Sequence, residues 1–195
     1  MSNPEFSRRD VLRTIALAVT AGGMTTAEAQ HVHEMAAAET VASGGVYTPK
    51  KFNAHEYATL TRLCEITVPG AVEGGAPQFI DLLSSQNPEL AAIYTGGLAW
   101  LDDESQRRNH VTFLAATPEQ QTALLDLIAY RANASQEGLG HGVRFFDWAR
   151  RMTVDAYYTS PPGIKEIGYM GNTAVAKFEV PREAVEYALK RSGLG

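Results

Sequence analysis

The chain after residue 52 repeats one pattern, in which apolar residues recur at steps of three and four positions. This spacing puts apolar side chains on one face of an α-helix. Asn53, Asn87 and Thr117 each have the side chain of a helix N-cap, and proline directly follows the last two. No segment of useful length alternates apolar and polar residues as a strand does. The pattern therefore predicts an all-α domain over 52–195. We expect an irregular bundle of about five to six helices, joined by long loops rich in glycine, proline and tyrosine.

Two of the predicted helices have further features. Gly96 and Gly97 lie inside the helix that begins at Pro88, where a glycine costs roughly 1 kcal/mol relative to alanine. We expect either a kink or a close helix contact at this pair. The last helix is predicted to begin at Pro181 and to turn its apolar residues inward, namely Val185, Ala188 and Leu189.

Residues 1–29 have the order of features found in an export signal. A basic segment with an arginine pair precedes a short apolar stretch, and an Ala-x-Ala motif follows. The context resembles a twin-arginine signal, which a receptor reads and which is not an anchor. An ordinary N-terminal helix and an uncleaved signal that anchors the chain are the alternatives. The residues assigned to the signal are Arg8, Arg9 and Leu12, and those assigned to its cleavage site are Ala27 and Ala29.

The segment 30–51 is predicted to be a flexible tether between the signal and the helical domain. Its first part is rich in Ala, Glu, Thr, Ser and Gly and has no amphipathic period. His31 and His33 lie in this tether, where such a pair either holds a metal loosely or is simply solvated. The solvated state is the expectation, and we assign no metal site.

Composition narrows the classes of partner and chemistry. The 195 residues carry a net charge of −5, and phosphate binding requires a basic face, so nucleic acid is not an expected partner. Cys64 is the single cysteine, which excludes an internal disulfide, a cysteine-rich zinc site, a cysteine-ligated iron–sulfur cluster and a covalently attached haem in this chain. Its apolar stripe indicates a buried core thiol, and the alternative is a thiol that bonds a partner chain.

Motifs for catalysis are missing from the sequence. It has no G-x-G-x-x-G after a strand, no phosphate-binding loop and no H-E-x-x-H. His55 and Glu56 are adjacent, but a carboxylate near a helix start is the simpler interpretation. The acidic run 102–104 is interpreted as a solvated helix end, because consecutive helical positions point in different directions. We assign no catalytic, cofactor-binding or metal-binding residue.

One segment differs in composition from the helices before it. Residues 157–163 and 168–173 combine three tyrosines with several glycines and prolines and carry few charges. This composition is typical of the core of a protein interface. A loop that packs over the chain's own helices has the same composition, so both interpretations stay open.

Several short motifs occur in a fixed order along the chain. They are FNAHEYATL at 52–60, LCEI at 63–66 followed by Pro69, GLAWLD at 97–102 with Ser105, TPEQQ at 117–121, and a segment from Phe145 to Thr173 that contains YYTSP and GYMGNT. Their order and spacing resemble the gluconate 2-dehydrogenase subunit 3 family. The resemblance covers roughly 52–173, and the tail 174–195 does not fit the family's pattern.

This resemblance implies a non-catalytic small subunit of a membrane-linked flavin dehydrogenase that oxidises a sugar, a sugar acid or a polyol. The implied partner is a large subunit of the glucose–methanol–choline oxidoreductase type, which holds the FAD. A cytochrome c subunit with haem c accepts the electrons in many such complexes. The expected location is the periplasm, peripheral to the inner membrane, with the twin-arginine export machinery as a further partner.

This chain carries an export signal but no cofactor motif. These two features are expected of a subunit whose signal exports a partner that has no signal of its own. The alternative is a stand-alone exported helical protein that binds a small ligand or a metal. On the first hypothesis, the residues expected to contact the partner are Trp148, Tyr157, Tyr158, Pro161, Tyr169, Gly171 and Asn172, with Trp148 as the outlying candidate.

Overall fold

Nine α-helices and two short 3-10 helices form the part of the chain that the computed structural model describes, residues 7–168 and 180–192, and this part contains no β-strand. The all-α prediction is confirmed. The helices outnumber the expected five to six because segments predicted to be signal, tether and loop are also helical. The α-helices are α1 (Arg8–Ala21), α2 (Thr26–Ala42), α3 (Ala54–Thr67), α4 (Ala76–Gln86), α5 (Pro88–Asn109), α6 (Pro118–Ala129), α7 (Gly140–Tyr158), α8 (Pro161–Glu166) and α9 (Arg182–Ser192), and the 3-10 helices are Phe113–Ala115 and Arg131–Ser135.

The helix starts read from the sequence are confirmed. The Asn53 side chain accepts a hydrogen bond from the Glu56 N–H, and the Glu56 carboxylate accepts one from the Asn53 N–H, both at 2.9 Å. Thr117 and Gln120 form the same reciprocal pair at the start of α6. These bonds satisfy backbone donors that the first turn of a helix leaves without intrahelical partners.

The core lies between α4 and α7. Helix α4 packs against α1, α2, α3, α5 and α7, and α7 packs against α3, α4, α5, α6 and α8. Most of α4 is buried, including Phe79, Ile80 and Leu83. Because both helices touch so many neighbours, the position of every other packed element is set relative to them.

A buried carboxylate on α4 fixes the segment that connects α2 to α3. Asp81 is fully buried and accepts four hydrogen bonds. The donors are the Tyr47 hydroxyl at 2.8 Å and the backbone N–H groups of Lys50, Lys51 and Phe52 at 2.6, 3.0 and 3.0 Å. A buried charge is tolerated when it is hydrogen-bonded in this way, and losing its partners is costly.

We expect Asp81→Asn to lower the free energy of unfolding by about 3 kcal/mol, because an amide has one acceptor oxygen and turns an N–H₂ group toward a donor. Urea denaturation followed by circular dichroism measures the change. Asp126→Asn, at an exposed position of α6, is the matched control and should change stability by less than about 0.5 kcal/mol. Equal stability of the two variants would contradict the role assigned to Asp81.

The glycine pair in α5 marks a close helix contact. A Cβ atom at Gly97 would overlap the Phe145 ring of α7, whereas nothing lies within 4 Å of a Cβ at Gly96. The Phe145 ring also meets Tyr94 edge-on, with centroids 5.7 Å apart. The close contact predicted for this pair is therefore confirmed, and Gly97 alone makes it.

The two glycines should respond oppositely to alanine. Gly97→Ala should lower the free energy of unfolding by about 1–3 kcal/mol, because the new methyl group displaces the Phe145 ring. Gly96→Ala should raise it by about 0.5–1 kcal/mol, because alanine is the better helix former and has open space there. Thermal and urea unfolding of both variants measure this difference. A stable Gly97→Ala variant would show that α5 and α7 are not in direct contact.

The predicted tether is wrong over most of its length, because helix α2 occupies Thr26–Ala42. A capping box between Thr25 and Glu28 starts the helix, and Ala29, Val32 and Ala36 are buried against the body. The buried face consists largely of alanine, and alanines also cover the exposed face. The sequence therefore shows no contrast between the two faces, and no amphipathic period was visible.

The inward face predicted for the last helix is also wrong. All described residues of α9 are exposed, and Val185 and Leu189 each keep 42% of their surface accessible. The helix is amphipathic, but no other described helix covers its apolar side. Amphipathicity predicted the helix correctly and did not show what its apolar side would meet.

Candidate functional site

The candidate contact surface is the α7–α8 corner, which we define as residues 157–166. Tyr157 and Tyr158 end α7, and their rings meet edge-on with centroids 5.1 Å apart. Tyr157 is 7% exposed and Tyr158 is 37% exposed. Adjacent tyrosines on one helix end thus face in different directions, one toward the body and one toward solvent.

The corner is a tight connection between two helices, where the sequence indicated a long loop. The Ser160 hydroxyl donates to the Tyr157 carbonyl at 2.5 Å and caps α8 by accepting from the Gly163 N–H at 3.4 Å. Pro161 occupies the first turn of α8, where its missing N–H costs nothing. A Cβ at Gly163 would overlap the Tyr157 carbonyl, so only glycine allows this approach. These contacts fix the conformation of the corner on the surface of the protein.

Tyr157 is held by a glycine-containing turn between α3 and α4. A Cβ at Gly74 would lie 2.8 Å from the Tyr157 ring, and one at Gly70 would lie 3.2 Å from its hydroxyl oxygen. The absence of side chains on these glycines lets the tyrosine lie flat against the turn. Tyr157 thus fits the second interpretation of the segment, packing over the chain's own helices.

Helix α2 also reaches this corner. His33 Nε2 lies 3.2 Å from the Thr159 hydroxyl, and the His33 ring packs against Phe79 with centroids 4.9 Å apart. Burial lowers the pKa of His33 below its usual value, so the imidazole is neutral near pH 7. The expectation that His33 is solvated in a flexible segment is wrong. Among residues 7–168 and 180–192, no three His, Cys, Asp or Glu side chains cluster as metal ligands.

The residues predicted to contact the partner do not all lie on one surface. Tyr158 and Pro161 are exposed together on the corner. Trp148 lies ten positions earlier on α7, about 15 Å along the helix axis, and does not belong to the same surface. Tyr169, Gly171 and Asn172 lie outside the described residues. The corner therefore retains two of the predicted residues as an available contact surface.

A family model supplies the comparison that decides the class of protein. The model for gluconate 2-dehydrogenase subunit 3 matches residues 54–176, more than half of the chain. The chain belongs to the gluconate 2-dehydrogenase subunit 3 family. A search of curated proteins and a search of solved structures each gave no match. By the family's name, its members are one subunit of a multi-subunit dehydrogenase.

The region that matches the subunit 3 family spans α3 to α8 and includes the α7–α8 corner. Helices α1, α2 and α9 lie outside it. Two of these, α1 and α2, nevertheless pack against α4. The core of the family domain is thus covered in this chain by helices that precede the matched region.

The N-terminal helix α1 is bound to the body through apolar and polar contacts. Leu12, Ile15 and Val19 are each 2% exposed. The Asn87 side chain donates to the Ala16 carbonyl at 2.7 Å, and Arg151 donates to the Val19 carbonyl at 3.2 Å. Assignment of this segment as an export signal stays a prediction. None of the described residues belongs to a helix that is both long and apolar enough to cross a bilayer.

The predicted cleavage residues lie in the first turn of α2. Ala27 is exposed, whereas Ala29 is 1% exposed and packs into the core. A peptidase that requires an extended substrate would have to unwind this turn and break the capping box between Thr25 and Glu28. Cleavage at this site stays a prediction, and it requires a different conformation of residues 25–29.

Cys64 is a core residue of α3. It is fully buried, and the Thr153 hydroxyl of α7 lies 3.5 Å from its sulfur. Burial raises the pKa of the thiol to about 12, so it stays protonated at neutral pH. A sulfur atom in this position cannot reach a partner chain while α3 and α7 remain packed. The core interpretation is supported, and this placement argues against the inter-subunit disulfide.

We expect Cys64 in the folded chain to be almost inert toward the thiol reagent DTNB at pH 8, because the reactive thiolate is both scarce and shielded. In guanidinium chloride the same thiol should react within seconds. Absorbance at 412 nm measures both rates. Rapid modification of the native chain, or a higher-mass band on a non-reducing gel of the isolated chain, would contradict the burial of Cys64.

A contact between two side chains joins segments that are distant in the sequence, and the sequence analysis did not predict it. His55 Nε2 of α3 lies 2.5 Å from an Asp102 carboxylate oxygen of α5, and the other Asp102 oxygen accepts the Phe113 N–H at 2.9 Å. Both carboxylate oxygens are therefore engaged in holding three elements together. The residues are far apart in sequence, so no local pattern could have shown this pairing.

The acidic run 102–104 was interpreted from the sequence as a solvated helix end, but its residues are not all solvated. Glu104 is 2% exposed and binds Arg107 at 2.7 Å and Arg108 at 2.6 Å. Asp103, next to it, is exposed. The spacing of three and four residues between Glu104 and the arginines was the available signal. Glu104 is thus a structural carboxylate, neutralised by its own helix.

Proposed function

We propose that this chain is the non-catalytic small subunit of an exported flavin-dependent dehydrogenase of the gluconate, glucose or polyol type. The match to the subunit 3 family over residues 54–176 is the observation that carries the proposal. In this proposal the reaction takes place in a large subunit of the glucose–methanol–choline oxidoreductase type. That partner holds the FAD, and no residue of this chain is assigned to the cofactor.

Apolar surface that the described fold leaves open supports a role as a subunit. Tyr158 and Ile167 are exposed at or beside the α7–α8 corner, with 37% and 57% of their surfaces accessible. Helix α9 exposes Val185, Tyr187 and Leu189. An 11-residue helix is marginal in water unless its apolar face is covered. A large partner subunit would supply that cover.

The N-terminal arginine pair supports the second part of the proposal, which concerns export. Arg8 and Arg9 precede an apolar stretch as in a twin-arginine signal. We propose that this chain carries the export signal for its flavoprotein partner and assists its assembly. The complex would then be periplasmic and peripheral to the inner membrane, with a cytochrome c subunit as electron acceptor.

Co-expression of the tagged full chain with a glucose–methanol–choline flavoprotein encoded next to it in the genome of its host tests the subunit role. We expect a stoichiometric complex with the visible spectrum of bound flavin, whereas the chain alone should be colourless. Tyr158→Ala combined with Val185→Asp and Leu189→Asp should reduce the recovered flavoprotein at least about tenfold, because large exposed apolar anchors dominate interface energies. Tyr130→Ala removes a tyrosine elsewhere on the surface that is more exposed than Tyr158, 66% against 37%, and should leave recovery unchanged.

Circular dichroism of the triple variant separates lost binding from lost folding, since the described residues of α9 and Tyr158 are not buried in the core. Recovery of the chain alone, folded and monodisperse, from a host that makes the flavoprotein would overturn the subunit proposal. Export is tested separately by replacing Arg8 and Arg9 with lysine. Periplasmic flavoprotein at unchanged levels, or a signal on the flavoprotein itself, would overturn the escort role alone.

A further inference from the structure

Both tryptophans of the chain line one cavity. The sequence contains two, Trp100 on α5 and Trp148 on α7, and they border a cavity of about 370 Å³. Ile93 and the Phe145 ring add further apolar wall, and the side chains of His141 and Arg144 supply the polar part of the lining. The volume lies in the range of small-molecule sites, which combine mostly apolar walls with a few polar groups.

The indole walls are held in place without any ligand. Trp100 Nε1 donates to the Gly138 carbonyl at 3.3 Å, and a Cβ at Gly142 would overlap the Trp100 ring, so the ring lies directly on the α7 backbone. The Arg151 guanidinium covers Trp148 at 4.1 Å from the ring centroid. Fixed planar walls favour a planar apolar ligand, because little side-chain freedom is lost on binding.

Gly96 is the second observation that points to a ligand. It lies within α5, lines the cavity and has nothing within 4 Å of a Cβ atom, so neither packing nor backbone conformation calls for glycine. A glycine inside a helix costs about 0.5–1 kcal/mol relative to alanine. Gly96 is exposed and borders the cavity, so a large side chain at this position would narrow it. The glycine therefore keeps this space open at a cost in stability.

The charged part of the lining is positive, although the whole chain is negative at −5. Arg144 carries the fixed positive charge of the lining, and a nitrogen of its guanidinium lies 3.3 Å from His141 Nδ1. Among the described residues, no carboxylate forms an ion pair with Arg144. Helix α7 begins beside them, and its N-cap residue Leu139 has no side-chain acceptor. The N–H groups and dipole of this helix start add to the positive field.

We propose that this cavity binds a planar, mostly apolar organic anion, such as an aromatic carboxylate. The ring system lies between the indoles of Trp100 and Trp148, over the space that Gly96 leaves open. The anionic group is bound by the Arg144 guanidinium at the start of α7. This site is separate from the α7–α8 corner, so it does not depend on the subunit proposal.

The test uses 2-naphthoate as the probe and 2-naphthylmethanol as its neutral isostere, each titrated into the full chain. Because the chain has two tryptophans and both line the cavity, the two indole N–H signals in a ¹⁵N-correlated NMR spectrum report directly on occupancy. We expect 2-naphthoate to shift both signals and to bind at least about tenfold more tightly than the alcohol, since a charge-assisted bond forms with the acid alone.

Variants distinguish the two parts of the site. Arg144→Gln should lower affinity for 2-naphthoate about tenfold and leave affinity for the alcohol unchanged. Gly96→Leu should abolish binding of both probes by filling the cavity, whereas Ala99→Leu, at an exposed position of the same helix that does not line the cavity, should not. Leucine is a good helix former, so the chain with Gly96→Leu should stay folded. If that variant fails to fold, the Arg144→Gln comparison decides alone.

Three results would overturn the proposal. The first is the absence of any indole N–H shift up to the solubility limit of 2-naphthoate. The second is equal affinity for the acid and the alcohol, which would make the cavity a plain apolar gap. The third is unchanged binding of 2-naphthoate by the Arg144→Gln variant or by a folded Gly96→Leu variant.

Discussion

One buried carboxylate sets the arrangement of the first half of the molecule. Asp81 has no access to water, and within the described part of the chain four surrounding donors satisfy its oxygens. Three of those donors are consecutive backbone N–H groups just before α3. Binding all three to one carboxylate restricts the backbone conformation of this segment. In this conformation Phe52 enters the core, and the Asn53 cap and the start of α3 lie beside α4. Burial, and after it the charge of Asp81, raise the pKa of Tyr47, which keeps its hydroxyl protonated and donating.

Local signals in the sequence predicted much of the fold, and long-range packing explains the rest. Capping residues, proline positions and apolar spacing correctly indicated α3, α5, α6 and α7, because each signal acts within a few residues. Helix α2 was missed because alanine looks the same on a buried face and an exposed one. Asp81 was not singled out either, since nothing local distinguishes it from a surface carboxylate on an amphipathic helix.

The candidate contact surface was predicted in composition and only partly in geometry. The tyrosine- and proline-rich segment does form a defined surface feature, but the burial of Tyr157 depends on the glycines of a turn more than eighty residues earlier. The pairing of His55 with Asp102 likewise requires the fold. The sequence contained one indication of the cavity between α5 and α7, namely two adjacent glycines, Gly96 and Gly97, inside a predicted helix. Only the structure shows that Gly97 serves packing and Gly96 does not.

Helix α1 could not pack against the body and be bound in extended form by a receptor at the same time. Leu12, Ile15 and Val19 bury their side chains against the body, and burial of three such residues contributes roughly 5–9 kcal/mol as an upper estimate. A receptor that binds this segment in extended form must bind it more tightly than the body does. By thermodynamic linkage, occupation of the segment by such a receptor destabilises the attached domain by the same free energy. A second subunit that covers the vacated surface of α4 would restore that stability, and would thereby tie release of the N-terminus to assembly.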